Sequence, residues 1–489
     1  MNSKIECVDC GGIVGKTVNC KTRKGGGVTV RGSLKWLAIV MVLALTLLFG
    51  ISTTFGDELE AFTTAKINWR QFEGRSISLL SIPHAYGLAI EPYVPEFEKL
   101  TGIRVNIEFL GEDEMRRKRG VDLSMGTGLY DIVMVGLSDI VPFAFSGWLA
   151  DIKPYLDNPN LTDKTWYDYE GIGEPLRKWN TSEDGRIIAI PANFSGPVFW
   201  YRTDIFNKYG FKPPDTWEEL VDLKKKLQEK LDADPEYRGV YAFVSRGWTG
   251  PGSNTWTICP AIFSYGGRIF DENMNAVFNS PEAMKALEVY RDAQVGYGNP
   301  PGSEGIDMYT MVDMFAAGNL ASMLEGLDHI VFLGDPNKAK VYDRWDAAIP
   351  PKGPAGRFSS LWTWGFGINY ASRQKEPSWL FIQWATSKPI QERIGPLGTP
   401  CRLGVWEMEA FQKVRQEHPG WIEAAKWYIA EGTVTEPLIP EFREVGQAMS
   451  VGFSKILRGE PVKESLDEAV TKVNEIIAKR KAKLEESTK

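Results

Sequence analysis

Polar side chains that could bind a ligand follow several apolar segments of this chain. Asp139 comes after the apolar run 131–135, Asn193 after a run ending at Ile190, and Asp328 after 322–325. Ligands of open α/β sheets lie beyond the carboxyl ends of the strands, so we expect these side chains to meet in one cleft. Carboxylates and amides hydrogen-bond neighbouring hydroxyls in pairs, which favours a polyhydroxylated ligand. The same geometry selects His84, Tyr86, Ser138, Asp139, Asn193, Ser195 and Asp328.

Four of the 17 tryptophans are candidates for stacking on the C–H face of such a ligand. Trp248 lies in a Gly-rich loop (SRGWTGPG), and Trp256 follows Asn254, whose amide joins the candidate set. Trp362 and Trp364 are two residues apart in an extended segment, so their side chains share one strand face. Tryptophan offers a large apolar face and one N–H donor. For each of the four, packing in a core is the alternative interpretation.

The sequence shows no pattern typical of catalysis. It has no recognisable acid and nucleophile pair, no G-x-S-x-G and no H-E-x-x-H, so no catalytic residue is assigned. Three histidines without an acidic cluster give no support for a metal site, and no cofactor is expected. A secreted glycosidase stays as the enzymatic alternative, because carboxylate pairs and Trp platforms also describe glycosidase clefts.

The N-terminal segment predicts export. Residues 36–51 form a charge-free apolar run, and residues 1–35 before it hold seven Lys/Arg and two Asp/Glu. This pattern is typical of a basic cytoplasmic region followed by a signal peptide over 36–56, with cleavage before Asp57, or by an uncleaved membrane anchor. Translation starting near Val30 is a further hypothesis. The chain carries a net charge of −7 and its exported part has no basic run, which argues against nucleic acid as a partner.

The remaining pattern indicates an α/β protein of two domains. Strands are predicted over 75–80, 103–109, 131–135 and 186–190, with a helix over 88–101, which favours a parallel sheet. Further along, PPDTWEEL should start a helix capped by Asp215 or Thr216 and favoured by Glu218 or Glu219. No internal repeat is evident. The cysteines of the exported part, Cys259 and Cys401, are expected as buried thiols, with a disulfide as the alternative.

Five segments in order resemble one family. They are GLAIEPYVPEFEKLTGIRVNIEFL, TGLYDIVMVGLSDIVPFAFSGWLADI, GRIIAIPANFSGPVFWYRTDIFNKYGFKPPDTWEEL, FSYGGRIFDENMNAVFNSPEAMKALEVYRD and GFGINYASRQKEPSWLFIQWATSKPIQERIG. Together they resemble the family 1 extracellular solute-binding proteins, the carbohydrate receptors of ABC importers. The resemblance implies a two-lobed periplasmic-binding-protein-like α/β fold, with the ligand cleft between lobes that hinge strands join.

Carried over by order, the resemblance divides the chain into lobes. One lobe would be 75–190 with 349–387, the other 191–348 with 388–489, and 57–74 would be a linker. The hinge candidates are then Ile190-Pro191 and Ala348–Pro351.

The resemblance also implies a function and further site residues. It places Trp256 in the pocket and Arg402 near the cleft. The implied protein is a non-catalytic, monomeric receptor at the cell surface or in the periplasm, which delivers its ligand to the permease subunits of an ABC transporter. A di- or oligosaccharide is favoured as that ligand, because several tryptophans suggest rings to stack upon. A polyol or monosaccharide is the next alternative, and a chemosensory or adhesion role of the same fold stays open.

Overall fold

The computed structural model describes residues 57–83 and 85–487. The predicted signal or anchor segment and His84 therefore lie outside the described residues. The described residues from Leu59 onward form one compact unit. Among the described residues, no helix combines the length and apolarity that crossing a membrane requires.

Helices and strands alternate along the chain. The strands are β1 Ser76–Ser81, β2 Arg104–Phe109, β3 Ile132–Gly136, β4 Ile190–Ser195, β5 Pro197–Arg202, β6 Val244–Ser245, β7 Ser322–Gly326, β8 Trp345–Ala348 and β9 Trp362–Ile368. The first ten helices are α1 Asp57–Thr63, α2 Ala85–Ile90, α3 Val94–Thr101, α4 Glu112–Met125, α5 Ile140–Ser146, α6 Lys153–Asp157, α7 Lys164–Tyr167, α8 Glu174–Trp179, α9 Thr203–Tyr209 and α10 Trp217–Ala233. The later helices are α11 Asn254–Ser264, α12 Pro281–Gln294, α13 Met308–Ala316, α14 Ile330–Leu333, α15 Lys375–Ala385, α16 Lys388–Ile394, α17 Gln412–Glu417, α18 Pro419–Glu431, α19 Phe442–Leu457 and α20 Val462–Ser487.

The strands form two sheets, each of which is the centre of one lobe. The first lobe is built on the order β2-β1-β3-β9-β4 and the second on β6-β7-β5-β8. Both sheets are mixed, because β9 runs antiparallel to β3 and β4, and β5 runs antiparallel to β7 and β8. The parallel arrangement predicted for the first strands is confirmed, because β1 runs parallel to β2 and β3. The insertion of β9 between β3 and β4, antiparallel to both, was not predicted. Helices alone do not join these strands, because β4 and β5 are separated by one residue and belong to different sheets.

The chain crosses between the lobes at Gly196. Strand β4 ends at Ser195 in the first sheet and β5 begins at Pro197 in the second. A side chain at Gly196 would lie 2.0 Å from Cε1 of Tyr428, and the Tyr428 hydroxyl donates to the Pro197 carbonyl at 2.7 Å. Only glycine fits this crossing, which lies later in the chain than the predicted hinge at Ile190-Pro191.

Strand β4 also corrects a predicted boundary. The sequence predicts a strand over 186–190 that Pro191 ends, whereas the strand begins at Ile190 and continues through Pro191 to Ser195. Proline is tolerated because β4 is the edge strand of the first sheet and its pairing shifts register between Pro191 and Asn193. Asn193 and Ser195 therefore lie within this strand and not in a turn after it.

Two further segments belong with the first lobe. Residues 59–74, expected as a linker, pack there: Phe62 is buried, accepts from Trp69 Nε1 at 2.9 Å and lies 6.4 Å from the Trp384 ring. Helix α16, expected in the second lobe, bonds to β4 because Gln391 Nε2 donates to the Ala192 carbonyl at 2.9 Å. In both cases buried side chains decide the placement, which chain order does not show.

Local signals are confirmed elsewhere. Thr216 is the N-cap of α10: its Oγ1 accepts from the Glu219 N–H at 3.1 Å, and Glu219 forms the reciprocal half of a capping box. Cys259 and Cys401 are buried free thiols, as expected. The helix predicted over 88–101 is broken into α2, a 3-10 turn at Glu91–Tyr93 and α3, because the prolines of this segment lack the N–H that a helix interior needs.

Candidate ligand-binding site

The two lobes carry the same short unit at the carboxyl end of a strand. Strands β3 and β7 both end at a glycine, in VGLSDIV (135–141) and EGLDHIV (325–331). Each glycine leads into a 3-10 turn, Leu137–Asp139 or Leu327–His329, and then into a short helix, α5 or α14. No internal repeat was predicted from the sequence, because this unit is only seven residues long. The structure shows it as a repeat, since both copies follow equivalent strands, β3 and β7, of the two sheets.

Gly136 gathers three predicted residues on the first lobe. A side chain there would lie 2.9 Å from Trp362 Cζ2, 3.1 Å from Trp364 Cζ3 and 3.4 Å from Asp139 Oδ2. The two indole rings lie edge to face with 5.7 Å between centroids. Glycine is therefore required here, because any Cβ would fill the space around which these groups are arranged.

Asp139 is buried between two arginines of α4. Its Oδ2 accepts from the Gly136 N–H at 3.0 Å and lies 2.8 Å from Arg119 Nη2 and 3.2 Å from Arg116 Nη1. Burial raises the pKa of Asp139, but Arg119 and Arg116 lower it more, so the carboxylate is ionised. Sequence reasoning missed both arginines in the charged stretch EDEMRRKRG. Their i, i+3 spacing, which places them on one helix face, was the available signal.

Gly326 gathers three predicted residues on the second lobe. A side chain there would lie 2.6 Å from both Asp328 Oδ1 and Ser195 Oγ, and 3.3 Å from Trp256 Cη2. The Ser195 hydroxyl donates to Asp328. Since Ser195 is the last residue of β4, this bond joins the end of a first-lobe strand to the second lobe.

Arg246 is the main charge of the second wall. Its Nε donates to Glu325 Oε2 at 2.8 Å, its Nη1 donates to the Gly252 carbonyl at 3.0 Å, and its Cζ lies 4.2 Å from the ring centroid of Trp256. Burial raises the pKa of Glu325, but Arg246 and then His329 outweigh it and hold this pKa at about 2. The arrangement repeats that of the first lobe, where Arg116 Cζ lies 5.0 Å from the Trp364 centroid.

The two walls face each other. Burial lowers the pKa of Arg246, but Glu325, Asp328 and Glu112 raise this pKa by more than burial lowers it. Glu112 belongs to α4 of the first lobe, where it lies 2.8 Å from Arg116 Nη2. The pairing of β4 with β9 places Ser195 opposite Trp362, and the Ser195 hydroxyl donates to Asp328. The two sets of residues are therefore adjacent and line one cleft.

Two side chains of this cleft have polar atoms that the described residues leave without a partner. The Nδ2 and Oδ1 of Asn193 are both buried without a hydrogen bond, and so is the Nε1 of Trp256. Such groups cost free energy unless something bonds them, about 1–3 kcal/mol each. The Nδ2 of Asn193 can donate a hydrogen bond and its Oδ1 can accept one, and a ligand hydroxyl group can serve as the partner of either atom.

A third carboxyl that sequence reasoning missed lies beside this wall. Glu436 is buried, and its Oε1 accepts from the Thr255 hydroxyl at 2.6 Å. Burial raises its pKa to about 7, against smaller lowering by Thr255, Arg246 and the Gly252 N–H. No sequence signal marks Glu436, because it lies in a connecting segment far from any strand end.

The other predicted residues lie apart from the two glycine-centred sets. Tyr86 is buried and donates its hydroxyl to the Ala385 carbonyl, and Arg402 bonds to the carbonyls of Thr386 and Asp168 at 2.7 and 2.6 Å. The Asn254 amide bonds to Ser450 and Ser454 of α19. Ser138 is buried next to Asp139, whereas Trp248 is 54% exposed. These hydrogen bonds favour structural roles for Tyr86, Arg402 and Asn254, and Trp248 lies at the surface.

The fold and cleft define a two-lobed binding protein, and sequence comparison identifies its family. The family described as bacterial extracellular solute-binding protein matches residues 83–392. The chain therefore belongs to the family of bacterial extracellular solute-binding proteins, as the resemblance of its segments indicated.

Several relatives are characterised by ligand. The erythritol/L-threitol-binding protein of Mycolicibacterium smegmatis is 28% identical over 81% of this chain and 85% of its own. The mannitol-binding protein of Pseudomonas aeruginosa is 26% identical over 72% of this chain and 81% of its own. Among solved structures, a solute-binding protein of an ABC transporter from Agrobacterium radiobacter, in complex with ribitol, has a TM-score of 0.72, with 24% identity over 83% of this chain and 99% of that one. This last similarity shows the two-lobed fold.

Proposed function

We propose that this protein captures a small polyhydroxylated solute between its lobes and delivers it to an ABC importer. The observation that carries the proposal is the Asn193 amide, which lies opposite Trp364 in the pairing of β4 with β9 and is fully buried, with neither its Nδ2 nor its Oδ1 bonded among the described residues. The amide side chain pairs with neighbouring hydroxyls, and the unpaired Nε1 of Trp256 adds one more donor. The relatives whose names give erythritol, L-threitol and mannitol as ligands support this chemistry.

A polyol fits the cleft better than the di- or oligosaccharide that the tryptophans suggested. That expectation needs open indole faces. Trp256 and Trp364 are 4% and 5% exposed, and an arginine lies over each. At these two residues the arginine covers the aromatic face on which a pyranose ring would stack, and half-buried Trp362 is the candidate that remains beside Gly136. A chain of hydroxyls needs only donors and acceptors.

The protein acts by binding and not by catalysis. A glycosidase needs one carboxyl that donates a proton while the second stays ionised. Asp139 and Glu325 are each held by arginine, and the pKa of both carboxyls lies below the usual value. Neither of these two carboxyls suits the role of a general acid. Glu436, whose pKa is raised to about 7, is the carboxyl that a glycosidase would use as the acid, but it is buried and its Oε1 is bonded to the Thr255 hydroxyl. We therefore expect the ligand to leave chemically unchanged.

Capture would involve closure of the lobes about the crossings between the two sheets. These crossings are Gly196 and the segment 349–361 that joins β8 to β9. Residues 59–195 with 362–394 form the first lobe in this proposal. The family is extracellular, and we propose export of this chain through its N-terminal apolar segment.

A thermal-shift panel tests the proposal. The purified protein is heated with erythritol, L-threitol, ribitol, D-mannitol, maltose or trehalose, and hits are quantified by calorimetry. A ligand at about a hundred times its Kd should add about 2.7 kcal/mol of stability and raise the melting temperature by a few degrees. Recovery of the unchanged ligand supports a receptor, whereas conversion to smaller products would establish the glycosidase. Failure of every polyol and sugar would contradict the proposal.

A further inference from the structure

The two walls of the cleft present the same three groups. On the first lobe, Arg116 lies between the Trp364 ring and the Asp139 carboxylate. On the second, Arg246 lies between the Trp256 ring and the Glu325 carboxylate, with its Nη2 also close to Glu325 Oε1. Each set lies by the glycine that ends an equivalent strand, β3 or β7. The cleft thus has one tryptophan–arginine–carboxylate set on each side.

The arginines, and not the carboxylates, are open to the cleft. The side chains of Arg116 and Arg246 are 11% and 13% exposed, against 7% for Asp139 and 0% for Glu325. The carboxylates bond the guanidinium groups and fix their orientation. Of the two partners, the guanidinium group is thus the more accessible one for a ligand.

Both guanidinium groups retain donors for a ligand. A guanidinium has five N–H groups. In Arg116, Nε and Nη2 bond to Glu112 and Nη1 to Asp139, which uses three of them. In Arg246, Glu325, Gly252 and the Met308 sulfur account for four. The fork formed by Nε and Nη2 is occupied by Glu112 in Arg116 and by Glu325 in Arg246. Each arginine therefore has single N–H donors left for a ligand hydroxyl, and these donors carry the positive charge.

We propose that Arg116 and Arg246 are the residues that select the ligand, and that they select an acyclic polyol carrying free hydroxyls at both ends. This inference rests on the proposed function and narrows it. Two like donor sets on opposite walls match a ligand whose two ends are alike. An aldose ring does not have two ends of the same chemistry. Its C–H faces would stack on indole faces, and the arginines cover one face of Trp256 and one of Trp364.

Ligand variants test the inference on the unaltered protein. Calorimetry compares D-mannitol, ribitol and erythritol with D-mannose and with 1-deoxy-D-mannitol, which lacks one terminal hydroxyl. We expect the deoxy compound to bind about 10- to 100-fold more weakly than its parent, because a hydrogen bond to a charged donor is lost. D-mannose should also bind more weakly. Equal affinity for the deoxy compound, or tighter binding of the cyclic sugar, would overturn the inference.

Arginine variants test it independently. Arg116→Lys and Arg246→Lys keep the charge but remove the remaining guanidinium N–H donors and the carboxylate contacts that orient them, so each should weaken polyol binding by about 10-fold or more. Arg268→Lys is the matched control, because Arg268 also lies over an aromatic ring, 5.0 Å from Phe263, but is exposed and outside the cleft. Its affinity should stay at the wild-type value. Circular dichroism and the ligand-free melting temperature verify folding of each variant.

The outcomes separate this inference from the proposed function. Polyol binding that survives both lysine variants would overturn the role of the arginines and leave a solute receptor. Tight binding of maltose or trehalose with no polyol binding would overturn the assignment of a polyol as ligand and leave a solute receptor. If no compound of the panel binds the unaltered protein, the proposed function itself fails.

Discussion

Arg246 lies over the ring of Trp256, with 4.2 Å between its Cζ and the ring centroid, while its Nε bonds to Glu325 at 2.8 Å. One guanidinium thus covers an aromatic face and neutralises a carboxylate that is 0% exposed. Removing either Arg246 or Glu325 should therefore destabilise the protein, because the charge that remains is buried without its partner.

The first prediction concerns this ion pair. Glu325→Gln should lower the free energy of unfolding by about 3 kcal/mol, since Arg246 then stays buried without its main counter-charge. Denaturant unfolding of the ligand-free protein measures the change. Glu475→Gln is the control, because Glu475 bonds to Lys472 at 3.0 Å on the surface, with 54% of its side chain exposed; it should cost less than about 1 kcal/mol. Equal effects of both variants would show that burial of the pair contributes nothing.

The second prediction concerns the glycines that end β3 and β7. Gly326→Ala would place a Cβ 2.6 Å from Asp328 Oδ1 and from Ser195 Oγ. We expect a loss of stability of about 1–3 kcal/mol and a loss of ligand affinity, because both groups must move. Gly120→Ala, in helix α4 with open space around its Cα, should instead stabilise the protein by about 0.5–1 kcal/mol. Ligand titration of a folded Gly326→Ala protein with unchanged affinity would contradict the assigned position of the site.

The third prediction opposes binding and stability at one residue. Asn193→Leu keeps a similar volume and removes two buried polar atoms that have no partner among the described residues. The ligand-free protein should gain about 1–2 kcal/mol, while ligand affinity falls about 10-fold or more. Asn369→Leu is the control, since its Nδ2 donates to Asp122 at 3.0 Å and to the Tyr130 carbonyl at 2.9 Å. That variant should be destabilised, and a destabilised Asn193→Leu would show that its amide is satisfied.

The fourth prediction is a pH dependence set by Glu436. Its pKa in the folded protein is about 7, above the ordinary value of 4.5, chiefly because of burial. The folded state therefore holds this proton more tightly, and the resulting stability is fully present below the ordinary pKa and is lost as the pH rises through about 7. Wild-type protein should lose on the order of 2–3 kcal/mol from this group between about pH 5 and about pH 8.

Glu436→Gln isolates that group. The variant stays neutral at every pH, so its free energy of unfolding should change less between the two pH values, and it should exceed that of the wild type at about pH 8. Glu460→Gln, at an exposed position, should retain the wild-type profile. Parallel profiles for Glu436→Gln and the wild type would exclude Glu436 as the source.

Much of the site could be predicted because strand ends are readable. Apolar runs followed by polar residues predicted Asp139 and Asp328 as site residues, and the two-residue spacing in an extended segment predicted Trp362 and Trp364 on one strand face. The structure places Asp139 and both tryptophans around Gly136 and places Asp328 beside Gly326. Thr216 was readable for the same reason: a cap acts within a few residues of its own position. Local physics of this kind leaves a pattern in the sequence.

The arginines could not be predicted in this way. Arg116 and Arg246 precede or follow strands as members of polar stretches, and a charge in such a stretch is usually solvated. Their burial follows from the packing of α4 and of the loop after β6 onto other segments. The same holds for Tyr86 and Arg402, whose positions suggested ligand contacts and whose hydrogen bonds are to backbone carbonyls.

The sequence by itself determined the family, the order of the strands and the polar residues that end them, because these depend on local composition and on chain order. The tertiary structure alone decided where the chain crosses at Gly196, which tryptophan faces are covered and which polar atoms have partners. Those properties depend on residues that are far apart in the chain and meet only in the folded protein, as Ser195 meets Asp328 and Arg246 meets Glu325.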